Sequence, residues 1–117
     1  MRHGRIIVSR EGMEITRIKG MQTQSMKERL GGLLVLDELK REQALWISPC
    51  NSVHTLGMKY ALDLVYIDKN NIVCGLVNQL KPWRMSLCIQ AKAVMELTAG
   101  SLQYLNIQRG DSCKWLD

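Results

Sequence analysis

Residues 62–77 read LDLVYIDKNNIVCGLV, and this stretch decides the fold. Leu62 to Ile67 is rich in the aliphatic and aromatic side chains that favour β-strands. Residues 68–71 are Asp, Lys, Asn and Asn, and both Asp and Asn tolerate the left-handed backbone of a tight turn. A second β-prone segment, Ile72 to Val77, follows the turn. The pattern predicts an antiparallel β-hairpin.

Shorter strands are predicted on both sides of this hairpin, at 5–9, 13–18, 44–47, 91–97 and 112–116. Two short helices, each with one apolar face, are predicted at 23–30 and directly after Thr98. Segments 50–57 and 81–84 show no periodicity, so we expect irregular loops there. The predicted class is therefore α+β: a small, mostly antiparallel curled sheet, similar to an open barrel, with two short helices.

The chain has the size of one domain, with 117 residues of which 46% are hydrophobic and 23% charged. We assign residues 1–19 to an N-terminal strand region and residues 20–117 to the main body of one compact domain. The longest clean apolar run, Leu33 to Leu36, is far shorter than a membrane-spanning helix. The first twenty residues lack the apolar core of a signal peptide. We therefore expect no membrane span and a cytoplasmic location.

Positive charge is concentrated near the N-terminus. The net charge is +5, and residues 1–29 hold seven Lys or Arg against three Asp or Glu. Nucleic-acid binders add stacking aromatic side chains to such a segment, but this chain has no Phe, and its first 45 residues contain no Trp or Tyr. A solvated, solubilising segment is the favoured interpretation, and weak nucleic-acid binding remains an alternative.

The cysteine pattern indicates neither a zinc site nor a redox dithiol. The four cysteines are Cys50, Cys74, Cys88 and Cys113, and no two of them are spaced as C-x-x-C. Without an export signal we expect reduced thiols, most of them packed as small hydrophobic side chains. We predict no bound metal and no cofactor.

Two segments resemble a known family. The first, residues 52–68, reads SVHTLGMKYALDLVYID, and the second starts as MELTAGS at residue 95 and continues to Gly110-Asp111. Their order and spacing are similar to those of the family called domain of unknown function 192, which comprises small bacterial and archaeal proteins. The resemblance spans residues 20–115. It implies a compact β-rich domain and brings no particular activity with it.

Cys50 and His54 are the strongest candidate pair for a catalytic or metal-binding role. A cysteine nucleophile needs a neighbouring imidazole or another cation to become a thiolate at neutral pH. Pro49 and the turn-forming residues around it exclude a helix that would put both side chains on one face. The favoured interpretation is that Cys50 packs and His54 hydrogen-bonds the loop backbone. Nucleophilic and metal-binding roles are the alternatives.

Asp63, Trp83 and Arg84 are further candidates. Asp63 interrupts an apolar strand, so its carboxylate must find hydrogen-bond donors or face solvent. We expect it to hold the 50–58 loop, with a base or ligand-anchoring role as the alternative. An exposed Trp–Arg pair is typical of a binding hot spot, and a lid over the sheet edge is the competing interpretation.

The leading hypothesis is a non-catalytic module that binds a small molecule or a protein, because no complete catalytic constellation is visible. The predicted ligand-binding residues are Cys50, His54, Met58, Asp63, Trp83 and Arg84. Met58 also fits a core position. The alternative hypothesis is a small thiol hydrolase or transferase that uses Cys50, His54 and Asp63.

Overall fold

The computed structural model describes residues 2–22 and 43–117. This part of the chain contains nine β-strands and one short helix. The strands are β1 (Arg2–Arg10), β2 (Met13–Gln22), β3 (Gln43–Ile47), β4 (Ser52–His54), β5 (Leu62–Ile67), β6 (Val73–Leu80), β7 (Met85–Leu87), β8 (Ala93–Thr98) and β9 (Ser112–Leu116). The helix α1 spans Ser101–Leu105. None of the helical structure in the described ranges is long and apolar enough to cross a bilayer.

Seven strands form the main sheet, in the order β6-β5-β8-β3-β2-β1-β9. β2 and β3 pair in parallel, and the other neighbouring strands pair antiparallel. The predicted hairpin is present as β5 and β6. β4 and β7 form a separate two-stranded antiparallel sheet, which we call the ribbon.

The main sheet curls without closing. Its two edge strands, β6 and β9, approach each other at one end, where a bridge joins Ile72 to Ser112. The Val73 backbone N–H donates to the Asp111 carbonyl at 2.8 Å, and the Cys113 N–H donates to the Asn71 carbonyl at 2.8 Å. The rest of the main sheet is an open, curled surface with two faces.

Both faces of the main sheet are covered. Every residue of the central strand β5 is buried, and its side chains alternate between two apolar clusters. Val65 and Ile67 belong to the first cluster, together with Leu102 of α1. Leu64 and Tyr66 belong to the second cluster, together with residues of the ribbon. The ribbon is therefore a second layer packed on one face of the sheet.

The predicted α+β class with two short helices is wrong, because the described structure is mainly β with one helix of five residues. That helix follows Gly100, whose φ is 91°, and ends at Asn106, whose φ is 59°. Two left-handed residues so close together leave room for little more than one helical turn. The helix predicted at 23–30 lies outside the described residues.

Of the two segments predicted to be irregular, 81–84 contains no strand or helix, as predicted, whereas 50–57 differs from the structure. Segment 50–57 contains β4, and β7 begins directly after segment 81–84. Each of these strands is three residues long. Such short strands give too little alternation to be recognised, and their pairing depends on bringing distant parts of the chain together.

Candidate functional site

The ribbon has an inner face and an outer face. Val53 pairs with Ser86 in the ribbon register and is buried in the cluster beneath. The Tyr66 hydroxyl of β5 donates a hydrogen bond to the Ser86 hydroxyl at 2.8 Å. These contacts fix the ribbon to the main sheet, and they leave the neighbouring pairs, His54 with Met85 and Ser52 with Leu87, on the opposite side.

Thr55 joins the end of β4 to the turn before β7. It is fully buried, its hydroxyl donates to the Lys81 carbonyl at 2.6 Å, and it accepts from the Arg84 N–H at 2.9 Å. The Thr55 carbonyl accepts from the Trp83 N–H at 3.0 Å and from the Met58 N–H at 3.2 Å. One side chain and its backbone therefore hold together the loop after β4 and the Trp83–Arg84 turn.

The outer face of the ribbon carries a row of exposed apolar side chains. Trp83, Met85, Leu87 and Ile89 have exposed fractions of 64%, 74%, 64% and 77%. Met85 and Leu87 project to one side of β7, and Trp83 and Ile89 lie in the turns before and after this strand. Leu56, beyond the end of β4, adds a side chain that is 48% exposed. We call these five residues the apolar row.

Basic side chains flank the apolar row. Residues 48–62 and 78–95 contain four Lys or Arg and no Asp or Glu. All four, Lys59, Lys81, Arg84 and Lys92, are exposed. The region around the ribbon therefore combines exposed apolar side chains with basic ones. Segments 48–62 and 78–95 contribute no acidic side chain that would offset this positive charge.

Cys50 lies just before the ribbon and His54 at the end of β4, but no hydrogen bond in the described ranges joins them. The Cys50 thiol is half-buried and donates to the Ser52 carbonyl at 3.0 Å. The exposed His54 ring accepts from the Leu56 N–H through Nδ1 at 3.4 Å. This arrangement agrees with a packed cysteine and a histidine that binds the loop backbone.

Asp63 lies in the interior. It is fully buried, Oδ1 accepts from the Gln79 N–H at 2.8 Å, and Oδ2 accepts from the Leu102 N–H at 2.9 Å. Neither donor belongs to the 50–58 loop. The carboxylate instead connects β5 to the end of β6 and to the first turn of α1. Backbone N–H groups donate to both of its oxygens. A carboxylate buried in an apolar strand needs such donors.

The structure separates the six predicted ligand-binding residues into two groups. Trp83 and Arg84 are joined to the ribbon through Thr55, and Cys50 and His54 lie in or beside β4. Met58 is buried with an exposed fraction of 6%, within the cluster beneath the ribbon. Asp63 is fully buried as well, whereas Cys50, His54, Trp83 and Arg84 lie at least partly exposed in the ribbon or in the segments next to it.

The basic N-terminal segment forms the hairpin β1–β2, and much of its charge is paired. Arg10 forms an ion pair with Asp111, Arg17 with Glu14, and Arg2 with Asp117. The Arg17 guanidinium lowers the pKa of the Glu14 carboxyl through a hydrogen bond. Arg5 and Lys19 lie directly opposite each other in the β1–β2 register.

Comparison with known proteins shows to which family the chain belongs. The model of the family DUF192, described as "Uncharacterized ACR", matches residues 7–115. This chain belongs to DUF192. The resemblance in the two sequence motifs is thereby confirmed.

Relatives of this DUF192 protein share its sequence or its fold. A UPF0127 protein, PF1050 from Pyrococcus furiosus, is 35% identical over 65 residues, which are 55% of this chain and 55% of the Pyrococcus protein. The chain thus matches about half the length of that curated relative. A protein of unknown function from Novosphingobium aromaticivorans has a TM-score of 0.84 and 18% identity over 97% of this chain and 85% of its own.

A second solved structure, of a putative transcription regulator from Sinorhizobium meliloti, has a TM-score of 0.86 and 13% identity. The match covers 97% of this chain and 94% of the Sinorhizobium protein. At these identities the two structures establish a shared fold and nothing more.

Glu96 of this DUF192 protein is a buried acid that was not among the predicted site residues. It lies on β8 opposite Leu45 and Leu64, and both carboxyl oxygens are buried without a hydrogen-bond partner. Burial raises the pKa of Glu96 to about 8. An acid in the apolar run MEL is the same signal that singled out Asp63. With its pKa raised in this way, Glu96 keeps its proton at neutral pH.

No three His, Cys, Asp or Glu side chains are grouped to hold a metal ion within residues 2–22 and 43–117. Two cysteines do approach each other. The Cys74 and Cys88 sulfurs are 3.7 Å apart, and both side chains are half-buried. Burial, together with the neighbouring Cys88 thiol, raises the pKa of Cys74 to about 11.

Proposed function

We propose that this DUF192 protein is a non-catalytic binding module whose recognition surface is the outer face of the ribbon together with the Trp83–Arg84 turn. The apolar row carries this proposal, because soluble proteins rarely leave five large apolar side chains exposed in one region. Trp and Arg are also the residue types most enriched in binding hot spots. Thr55 holds the turn in place before any partner arrives, which lowers the ordering cost of binding.

The chemistry of the surface points to a protein partner with apolar and acidic side chains. The apolar row would supply the desolvated centre of the interface, and Lys59, Lys81, Arg84 and Lys92 its positively charged rim. A second copy of this chain fits poorly, because a symmetric contact through the ribbon would bring these like charges together. Cys50 and His54 would lie at the border of the interface.

Site-specific photo-crosslinking tests the proposal. A photoreactive amino acid is placed at position 85 and, as a matched control, at position 13, because Met85 and Met13 are both 74% exposed. We expect a discrete crosslinked protein from position 85 and none from position 13. Equal, diffuse crosslinking from both positions would contradict the proposal. Crosslinking of position 85 to lipid would also contradict it, since the partner would then be a membrane surface.

A second candidate function is nucleic-acid binding through the β1–β2 hairpin. One observation favours it: Arg5 directly opposite Lys19 places like charges together, which costs stability unless an anion lies between them. Both residues line a surface cleft of about 560 Å³. Fluorescence anisotropy with single-stranded DNA at low salt is the test. Binding that falls in an R5Q/K19Q variant would support this candidate, and unchanged binding would remove it.

A further inference from the structure

We propose that Cys74 and Cys88 are an oxidation site: a peroxide-class oxidant converts the two thiols into a disulfide that ties β6 to the end of the ribbon. The geometry supports this directly. The two sulfurs are 3.7 Å apart, in van der Waals contact. A disulfide bond is about 2.05 Å long, so closure requires the sulfurs to approach by less than 2 Å, which small side-chain rotations supply.

The location of the pair fits an oxidation site. Both side chains are half-buried, so a small oxidant has access to them. Cys74 lies on β6, and Cys88 directly follows β7. The Cys88 N–H donates to the Asn51 carbonyl at 2.8 Å, and the Cys88 sulfur packs 3.3 Å from the position that a Cβ would take on Gly75. These contacts hold the Cys88 thiol over β6, at the position where Cys74 can reach it.

The other two cysteines are unsuited to the same reaction. Cys113 is fully buried, and burial raises its pKa to about 12, so it is neither accessible nor ionised. The Cys50 thiol donates to the Ser52 carbonyl. Among residues 2–22 and 43–117, Cys74 and Cys88 are the two cysteines whose sulfurs are in contact. Oxidation is therefore expected to be selective for this pair.

The reaction is balanced with hydrogen peroxide as the oxidant. The Cys88 sulfur attacks one peroxide oxygen, the O–O bond breaks, and Cys88 becomes a sulfenic acid while the leaving hydroxide takes up the proton of the thiol to form water. Cys74 then attacks the Cys88 sulfur, the S–S bond forms, and the sulfenic hydroxyl leaves as water. The two thiols lose two electrons and two hydrogens, and the peroxide is reduced to two molecules of water. Burial and the neighbouring Cys88 thiol raise the pKa of Cys74 to about 11, which disfavours a direct attack of Cys74 on peroxide.

Peptide mapping of the folded, wild-type protein tests the proposal. Trypsin cuts after Lys69, Arg84 and Lys92 but not before Pro82, so Cys74 and Cys88 fall in separate peptides, 70–84 and 85–92. After limited peroxide treatment and blocking of the remaining thiols, we expect these two peptides to be joined, with a mass two hydrogens below their sum. Oxidation of Met85 adds one oxygen and is separated from the crosslink by mass.

Controls make the result decisive. A C88S variant should lose the crosslink, whereas a C50S variant, which replaces another half-buried cysteine, should keep it. In concentrated urea the selectivity should disappear, because the pairing depends on the fold. The proposal is overturned if Cys88 proceeds to sulfinic acid while Cys74 remains a free thiol. It is also overturned if Cys50 or Cys113 takes up the disulfide in the wild-type protein.

Discussion

Replacing Glu96 by Gln should remove a pH dependence of stability that one buried carboxyl imposes on the whole domain. Both oxygens of Glu96 are buried without a partner, and burial raises its pKa from 4.5 to about 8. In the unfolded chain the carboxyl ionises near its ordinary pKa, whereas in the folded protein it retains its proton up to about pH 8. Between these values the native state binds one proton more than the unfolded state.

The sign and size of the effect follow from proton linkage. Where the native state holds the extra proton, the free energy of unfolding falls by about 1.4 kcal/mol for each pH unit of increase. From about pH 5 to about pH 7.5 the wild-type protein should therefore lose roughly 3 kcal/mol. Gln cannot ionise, so E96Q should not show this loss. Its uncharged amide still lacks partners, which keeps the two proteins similar at the acidic end of the range.

Urea unfolding followed by tryptophan fluorescence measures the difference. We expect similar midpoints for the wild type and E96Q near pH 5 and a clearly higher midpoint for E96Q near pH 7.5. E11Q serves as the matched control, because it neutralises an exposed glutamate and should follow the wild-type profile. Parallel profiles of wild type and E96Q over this range would refute the assignment of a proton to buried Glu96.

Three further predictions concern Thr55, Asp63 and Cys50. T55V keeps the side-chain shape but leaves the Arg84 N–H without its partner, so it should cost about 1–3 kcal/mol in urea unfolding and raise protease cleavage at the turn. D63N leaves the N–H of Gln79 or of Leu102 facing an amide donor, so it should destabilise the fold by roughly 2 kcal/mol, whereas a neutral effect would contradict the buried contacts. Cys50 should react with iodoacetamide no faster than a free thiol, and H54A should leave that rate unchanged; a slower reaction in H54A would revive the thiol-enzyme hypothesis.

The sequence predicted the parts of the fold that depend on neighbouring residues. The β5–β6 hairpin was predictable because two β-prone runs flank a turn of residues that tolerate its backbone. The need of Asp63 for hydrogen-bond donors, if it is buried, was predictable from its place in an apolar strand. Its partners were not, because the N–H groups of Gln79 and Leu102 come from β6 and α1. The 50–58 loop, although adjacent in the chain, supplies neither donor.

The ribbon could not be predicted from sequence. β4 and β7 are each three residues long, and although apolar residues alternate along 83–89, nothing in the sequence indicates that these two strands pair. The exposure of Met85 and Leu87 was not predictable either. It results from the packing of the ribbon, in which Val53 and Ser86 face the sheet. The contact between Cys74 and Cys88 was equally hidden, since it arises only when the ribbon packs on β6.

The order of strands also bears on how the molecule folds. Strand β1 pairs with β9, with Ile6 opposite Trp115, so this part of the sheet closes a loop of nearly the whole chain and its formation carries a large entropic cost. The ribbon is different, because β4 and β7 directly flank the β5–β6 hairpin. Once the β5–β6 hairpin has formed from its turn, the start of β5 and the end of β6 lie side by side. The segments that carry β4 and β7 are then already close, so little conformational search remains before these two strands pair. The ribbon, which carries the exposed apolar row, therefore forms next to the β5–β6 hairpin, whose strands are close in sequence.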